Sequence, residues 1–180
     1  MRVCVFCGSS DGVPDCYNDD AKQVGRRLAN GGVDIVYGGA SVGMMGIIAD
    51  AALAAGGKVF GVVPQSLTDI EIAHGGLTQL DVVDTMTVRK ERMIELSDAF
   101  VCLPGGIGTA DELFEIWTLQ ALNYHDKPFA LLNTAGYYNS LIEFLSQAND
   151  QGFLRREWLN QLHVVATPTE LVRWVLSHRE

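Results

Sequence analysis

Three apolar runs in this chain end in glycine-rich loops that lead into helical stretches. Val3–Cys7 precedes Gly8-Ser9-Ser10. Val33–Tyr37 precedes Gly38-Gly39-Ala40-Ser41-Val42-Gly43. Ala99–Leu103 precedes Pro104-Gly105-Gly106-Ile107-Gly108-Thr109. Strands written as solid apolar runs, not as alternating ones, need helices over both sheet faces. Further strands are predicted at Lys58–Val63, Leu80–Val83, Phe129–Leu132 and His163–Val165. Helices are predicted at Asp19–Asn30, Met44–Ala55, Thr87–Ser97, Thr109–Asn123, Tyr138–Gln147 and Thr169–Ser177, with residues 64–80 largely irregular. This alternation specifies an α/β fold: a doubly wound, mostly parallel sheet with helices on both faces. No linker, repeat or low-complexity stretch divides it, so 1–180 reads as one domain. Parallel strands would bring the three loops to one edge, where such sheets bind ligands.

Composition narrows the ligand. Thirteen basic and twenty-two acidic residues leave a formal charge of −9. That balance disfavours nucleic-acid polymers and anionic membranes, which need a basic footprint. No apolar run reaches the roughly 18 residues of a membrane span, and Met1–Cys7 is too short for a signal segment. Cys4 and Cys7 form a C-x-x-C, but neither a second pair nor a histidine cluster follows to complete a zinc site. Both read as buried thiols, Cys16 and Cys102 stand apart, and a reducing, cytoplasmic compartment is expected.

The loop Pro104–Thr109 carries the strongest chemical signal. Glycines let the backbone turn its N–H groups inward, and a helix start adds partial positive charge, so the loop suits a phosphate. Thr109 is expected to cap the helix or meet the anion. The loop is not a P-loop, because no Gly-Lys-Ser/Thr follows, and Gly8-Ser9-Ser10-Asp11-Gly12 does not fit the dinucleotide fingerprint. Glu112 is expected in the first helical turn, close to the anion, with Glu115 one turn further on. Arg89, Lys90 and Arg92 form the densest basic cluster, near Met86 and at a helix start, where cations oppose the helix dipole. An anionic ligand would account for that placement; a solvated face paired with Glu91 and Glu95 is the plainer alternative. Gly43 and Gly46 serve either close helix–sheet packing or the ligand.

Pro104-Gly105-Gly106-Ile107-Gly108-Thr109-Ala110-Asp111-Glu112, preceded by Arg89-Lys90 and Met93, resembles the P-G-G-x-G-T-x-x-E and R-K signature of the LOG ("Lonely Guy") family. The likeness runs from Val5-Phe6-Cys7-Gly8-Ser9-Ser10 through Tyr37-Gly38-Gly39, Asp126-Lys127-Pro128 and Leu131-Leu132-Asn133 to Gly136-Tyr137-Tyr138-Asn139. Members are cytokinin riboside 5′-monophosphate phosphoribohydrolases, many once labelled lysine decarboxylases. The resemblance implies a Rossmann-like homodimer that splits N6-substituted adenosine monophosphates, and often AMP, into base and ribose 5-phosphate. It implies Arg89 and Glu112 as the catalytic pair. Substrate contacts are expected from Glu71, Met86, Arg89, Lys90, Gly105, Gly106, Ile107, Gly108, Thr109, Glu112 and Thr118, with Ser9, Gly38 and Gly39 from the neighbouring loops. Two departures bear on base preference: Met86-Thr87-Val88-Arg89-Lys90 where the family often has Met-His-Glu-Arg-Lys, and Ile107 where it often has an aromatic.

The residues suit that chemistry. Cleaving an N-glycosidic bond builds positive charge at C1′, which a carboxylate stabilises while activating water. An arginine fixes phosphate or ribose. No metal or cofactor is expected, and none of Lys22, Lys58, Lys90 and Lys127 sits in a recognisable pyridoxal-phosphate setting. Two other readings stand beside it: a general nucleoside-monophosphate nucleosidase, and a non-catalytic carrier of a nucleotide or molybdenum cofactor. Apolar residues spread around the helix after the phosphate loop (Leu113, Phe114, Ile116, Trp117, Leu119, Ala121, Leu122) suggest that a second subunit covers part of it.

Overall fold

The computed structural model describes residues 1–10, 13–67 and 73–179. Seven strands form one sheet: β1 (Arg2–Phe6), β2 (Asp34–Tyr37), β3 (Val59–Pro64), β4 (Gln79–Val83), β5 (Ala99–Cys102), β6 (Phe129–Leu132) and β7 (His163–Val165). Their order is β4-β3-β2-β1-β5-β6-β7, and every pairing is parallel. The expected "mostly parallel" sheet is thus wholly parallel among the described residues.

Helices α1 (Asp15–Asn30), α2 (Gly43–Ala54), α3 (Met86–Leu96), α4 (Ile107–Ala121), α5 (Asn139–Asp150), α6 (Arg156–Leu159) and α7 (Pro168–Ser177) complete the chain. The sheet pleat sorts the core into two layers. Val3, Val5, Ile35, Tyr37 and Val101 meet α1, α2 and α7 on one face. Cys4, Phe6, Val36, Phe100 and Cys102 meet Met93 of α3, Leu113, Ile116 and Trp117 of α4 and Leu145 of α5 on the other. Cys4 and Cys7 fall on opposite faces, both buried and free, so the C-x-x-C spacing is an accident of two core positions.

Several boundaries differ from the sequence reading. Helix α1 begins at Asp15, four residues early, because Pro14 holds an extended φ/ψ and its carbonyl accepts from the Tyr17 N–H. Helix α6 was not anticipated; its four residues are too few to show a period. The stretch 64–80 contains a 3₁₀ turn at Gln65–Leu67 and an isolated bridge, Ala40 to Ala73. Helix α4 starts at Ile107, not Thr109. Its N-cap is Gly106, which offers no side-chain cap.

The strand order reverses between β1 and β5, so the crevice beyond their carboxyl ends lies at the sheet's switch point. The loops after β1 and β5 join there: the Gly8 N–H donates to the Pro104 carbonyl at 3.1 Å.

Candidate active site

Four consecutive carbonyls line the loop from β5 into α4, and each already has a donor. Leu103 O accepts from the Tyr138 hydroxyl at 2.7 Å and Pro104 O from the Gly8 N–H. Gly105 O accepts from the Tyr137 hydroxyl at 2.6 Å, and Gly106 O from the Ala110 N–H at 3.1 Å. The N–H groups of Gly105 to Thr109 meet no acceptor among the described residues. A loop whose acceptors are consumed and whose donors are open has the chemistry to receive an anion. Gly106 and Gly108 are exposed, and a Cβ built on either would meet nothing within 4 Å. Gly106 has φ −91°, so the loop does not need its glycine for a left-handed backbone.

Because α4 starts at Ile107, Glu112 lies in the second turn and not the first. Its side chain points inward and is 8% exposed. Thr109 is also buried, and its side chain sits beneath Gly105, where a Cβ would collide with the hydroxyl. It therefore wedges the loop rather than capping the helix.

Arg89 approaches from the other side. Helix α3 is capped by Thr85, whose hydroxyl accepts from the Val88 N–H at 3.2 Å. This directs Arg89 under the sheet edge, 7% exposed. Its Nε donates to the Val62 carbonyl of β3 at 3.1 Å, and its Nη1 lies 3.4 Å from Glu112 Oε1. Gly38, at the end of β2, has no alternative: a Cβ there would overlap Arg89 Nη2 and sit 3.0 Å from Met45 Sδ. Burial pushes the Glu112 carboxyl up to about 7, and the Arg89 charge pulls back against that rise. The pair is a partly desolvated acid held near neutrality beside a fixed cation.

The basic cluster does not act together. Lys90 Nζ turns to α4, 2.6 Å from Glu115 Oε2 and 3.0 Å from Asp111 Oδ2. Burial would lower its ammonium, but the hydrogen bonds to Glu115 and Asp111 reverse the sign and raise it. Arg92 pairs with Asp81 of β4 at 2.9 Å and with Glu95 at 3.2 Å. Only Arg89 enters the crevice.

Of the other expected contacts, Met86 flanks Arg89, its Sδ 4.0 Å from Nη1, and Ile107 stands 91% exposed beside the open donors. Ser9 is exposed at the end of β1, packed by its backbone against Gly43, where φ is +55° and a Cβ would strike Ser9. Gly46 presses on the Ser41 carbonyl, so both glycines serve close packing. Gly39 is buried with φ +83°, and its carbonyl accepts from the His74 N–H at 3.0 Å. Thr118 lies outward on α4, six residues and about 9 Å along the axis from Glu112, in a groove with Phe114, Leu122 and Trp158. The structure does not bring it to the Arg89–Glu112 pair of its own chain. Glu71 lies outside the described residues. Sequence reasoning missed the roles of Val62, Gly8, Tyr137 and Tyr138; all act through main-chain groups distant in sequence.

Fold and site together define a Rossmann-like α/β protein with a glycine loop of open N–H donors and a buried acid–arginine pair at the switch point. A family model described as "possible lysine decarboxylase" matches residues 45–175. The chain is 49% identical over 153 residues to a cytokinin riboside 5′-monophosphate phosphoribohydrolase of Rhodococcoides fascians, spanning 84% of this chain and 77% of that protein. It is 45% identical over 181 residues to the enzyme LOG5 of Arabidopsis thaliana, which bears the same activity in its name, spanning 99% and 78%. The chain belongs to the LOG family. Among solved structures, the molybdenum cofactor binding protein of Rippkaea orientalis aligns with a TM-score of 0.76 at 22% identity over 98% of this chain and 95% of that one, a likeness of fold.

Proposed function

We propose that this protein hydrolyses the N-glycosidic bond of N6-modified adenosine 5′-monophosphates, and of AMP, releasing the free base and ribose 5-phosphate. The observation that carries the reading is the buried Arg89–Glu112 pair, 3.4 Å apart, with Glu112 in the second turn of the helix that the open N–H groups begin. Phosphate on those donors would set the ribose against the carboxylate. As the C1′–N bond breaks, ionised Glu112 faces the positive charge at C1′ and accepts a proton from the attacking water. The hydroxyl goes to C1′, and the proton taken up by Glu112 passes on to the departing base, which returns the carboxylate to its ionised form. Arg89, always charged, holds the carboxylate and meets a ribose or phosphate oxygen. Glycines 105, 106 and 108 and Ile107 line the phosphate side, Met86 the opposite rim, with Ser9, Gly38 and Gly39 at the floor.

Incubation with AMP and N6-isopentenyl-AMP, followed by chromatography for free base, tests the reading. Base and ribose 5-phosphate in equal amounts are expected. Tight nucleotide binding with no base released would establish a carrier instead, and indifference to the base would establish a general nucleosidase.

The reading includes a homodimer through α4. Leu113, Ile116 and Trp117 face the sheet, which leaves Phe114 and Leu122 38% and 58% exposed beside the α5–α6 groove. A second subunit there would cover this strip and present Thr118 and Lys90 to its neighbour's substrate. Light scattering giving the monomer mass of 19.6 kDa with full activity would refute it. The free cysteines and the absence, among the described residues, of a helix able to cross a membrane accord with a cytoplasmic enzyme.

A further inference from the structure

We infer that Tyr137 is a positioning residue for the phosphate loop: its hydroxyl fixes the Gly105–Gly106 peptide so that the Gly106 N–H faces the anion. The inference rests on the proposed phosphate site and assigns a residue to its orientation.

A trans peptide carries its C=O and N–H on opposite sides. Holding the carbonyl of residue 105 therefore aims the N–H of residue 106 the other way. The Tyr137 hydroxyl holds that carbonyl at 2.6 Å, across 32 residues. This peptide needs a restraint, because it joins two glycines and has no Cβ to resist a flip. A flip would put an oxygen where the donor should be, replacing attraction to phosphate by repulsion. The adjoining peptides differ. Pro104 has no N–H, so the bond from Tyr138 to Leu103 O aims no donor and only anchors the strand end. The Gly8 N–H holds Pro104 O and so aims the Gly105 N–H.

The segment bearing Tyr137 is built to deliver it. Ala135 and Gly136 both adopt left-handed φ, +52° and +75°, a costly turn outside glycine. Asn133 accepts from the Tyr138 N–H at 2.7 Å and donates to Asn139 at 2.8 Å. Thr134 donates to Asp20 of α1 at 2.6 Å. The Tyr137 ring then stands edge-on between Tyr17 and Tyr138, with centroids 5.7 and 5.0 Å away. Tyr137 is 44% exposed, so its placement serves more than burial.

The test compares Tyr137→Phe and Tyr138→Phe with the wild-type full chain, using ribose 5-phosphate, AMP and adenosine as probes. Tyr137→Phe should weaken ribose 5-phosphate and AMP about tenfold, the scale of one hydrogen bond to a charged group, and leave adenosine inhibition unchanged. Tyr138→Phe should lower the melting temperature with little phosphate-specific effect. In a wild-type NMR titration the Gly106 amide proton should move downfield on adding inorganic phosphate, and this response should vanish in Tyr137→Phe. Wild-type affinity for ribose 5-phosphate in Tyr137→Phe, or equal losses for AMP and adenosine, would overturn the role. A wild-type protein that binds neither ribose 5-phosphate nor AMP would instead overturn the phosphate site itself, and Tyr137's role with it.

Discussion

Replacing Glu112 by Gln should abolish turnover and, at the same time, stabilise the protein at alkaline pH. Glutamine imitates the protonated carboxyl in size and lacks its ionisation. In the fold, burial raises Glu112 from an ordinary 4.5 to about 7. A raised acid contributes stability that is complete below 4.5 and is lost as pH climbs through about 7. At about 1.4 kcal/mol per pH unit, ionising Glu112 in place costs the native state about 3 kcal/mol by pH 8. Glu112→Gln escapes this cost. Its stability relative to wild type should therefore rise by about 3 kcal/mol between pH 4.5 and pH 8, on top of any constant offset. Urea unfolding of both proteins at pH 5 and pH 8 measures the difference, and base release from AMP at pH 8 measures the lost activity. Parallel stability across that range would show that Glu112 ionises as freely as a surface acid. Near-normal turnover in the variant would remove the carboxylate from the reaction.

Wild-type kcat/KM should rise with pH through about 7 as Glu112 ionises. Arg89→Gln should carry that limb upward by roughly 1–3 pH units as well as lowering the rate; an unmoved limb would separate the two residues. Gly38→Ala should displace Arg89, since the new methyl overlaps its Nη2; about a hundredfold loss of kcat/KM is expected, and a wild-type rate would show that the guanidinium position is slack. Gly106→Val should change stability by less than about 0.5 kcal/mol, because nothing lies within 4 Å of the new Cβ. Ribose 5-phosphate binding should nonetheless be lost in calorimetry, and retained binding would reduce the loop to a turn.

The sheet was legible because its strands are buried on both faces and so read as unbroken apolar runs. The start of α4 was not. Gly106-Ile107-Gly108 has the composition of a loop, and a glycine N-cap lacks the side chain that marks a helix entry. That two-residue error displaced Glu112 from the second turn to the first. Charge density marks Arg89 only together with Lys90 and Arg92, and it is the family resemblance that sets Arg89 apart. What separates them is tertiary: the Val62 carbonyl and the room above Gly38 admit Arg89, while Glu115 and Asp81 take the other two. Tyr137 and Tyr138 belonged to a recognisable segment, yet their targets are carbonyls more than thirty residues away. No local pattern encodes such a contact.

The glycines of the crevice differ in what the fold requires of them. At Gly38, Gly43, Gly46 and Gly105 a Cβ would strike the protein itself, so the fold accounts for each. Gly56 and Gly152 have open space around them, but their positive φ values account for them as the left-handed residues that end α2 and α5. Gly75, Gly106 and Gly108 have neither a neighbour nor a positive φ, and Gly75 lies in the exposed turn before β4. Gly108 lies inside α4, where glycine costs about 1 kcal/mol relative to alanine. Gly106 and Gly108 carry open N–H groups at the start of α4, so a side chain at either would meet the phosphate of the proposed substrate and not the protein.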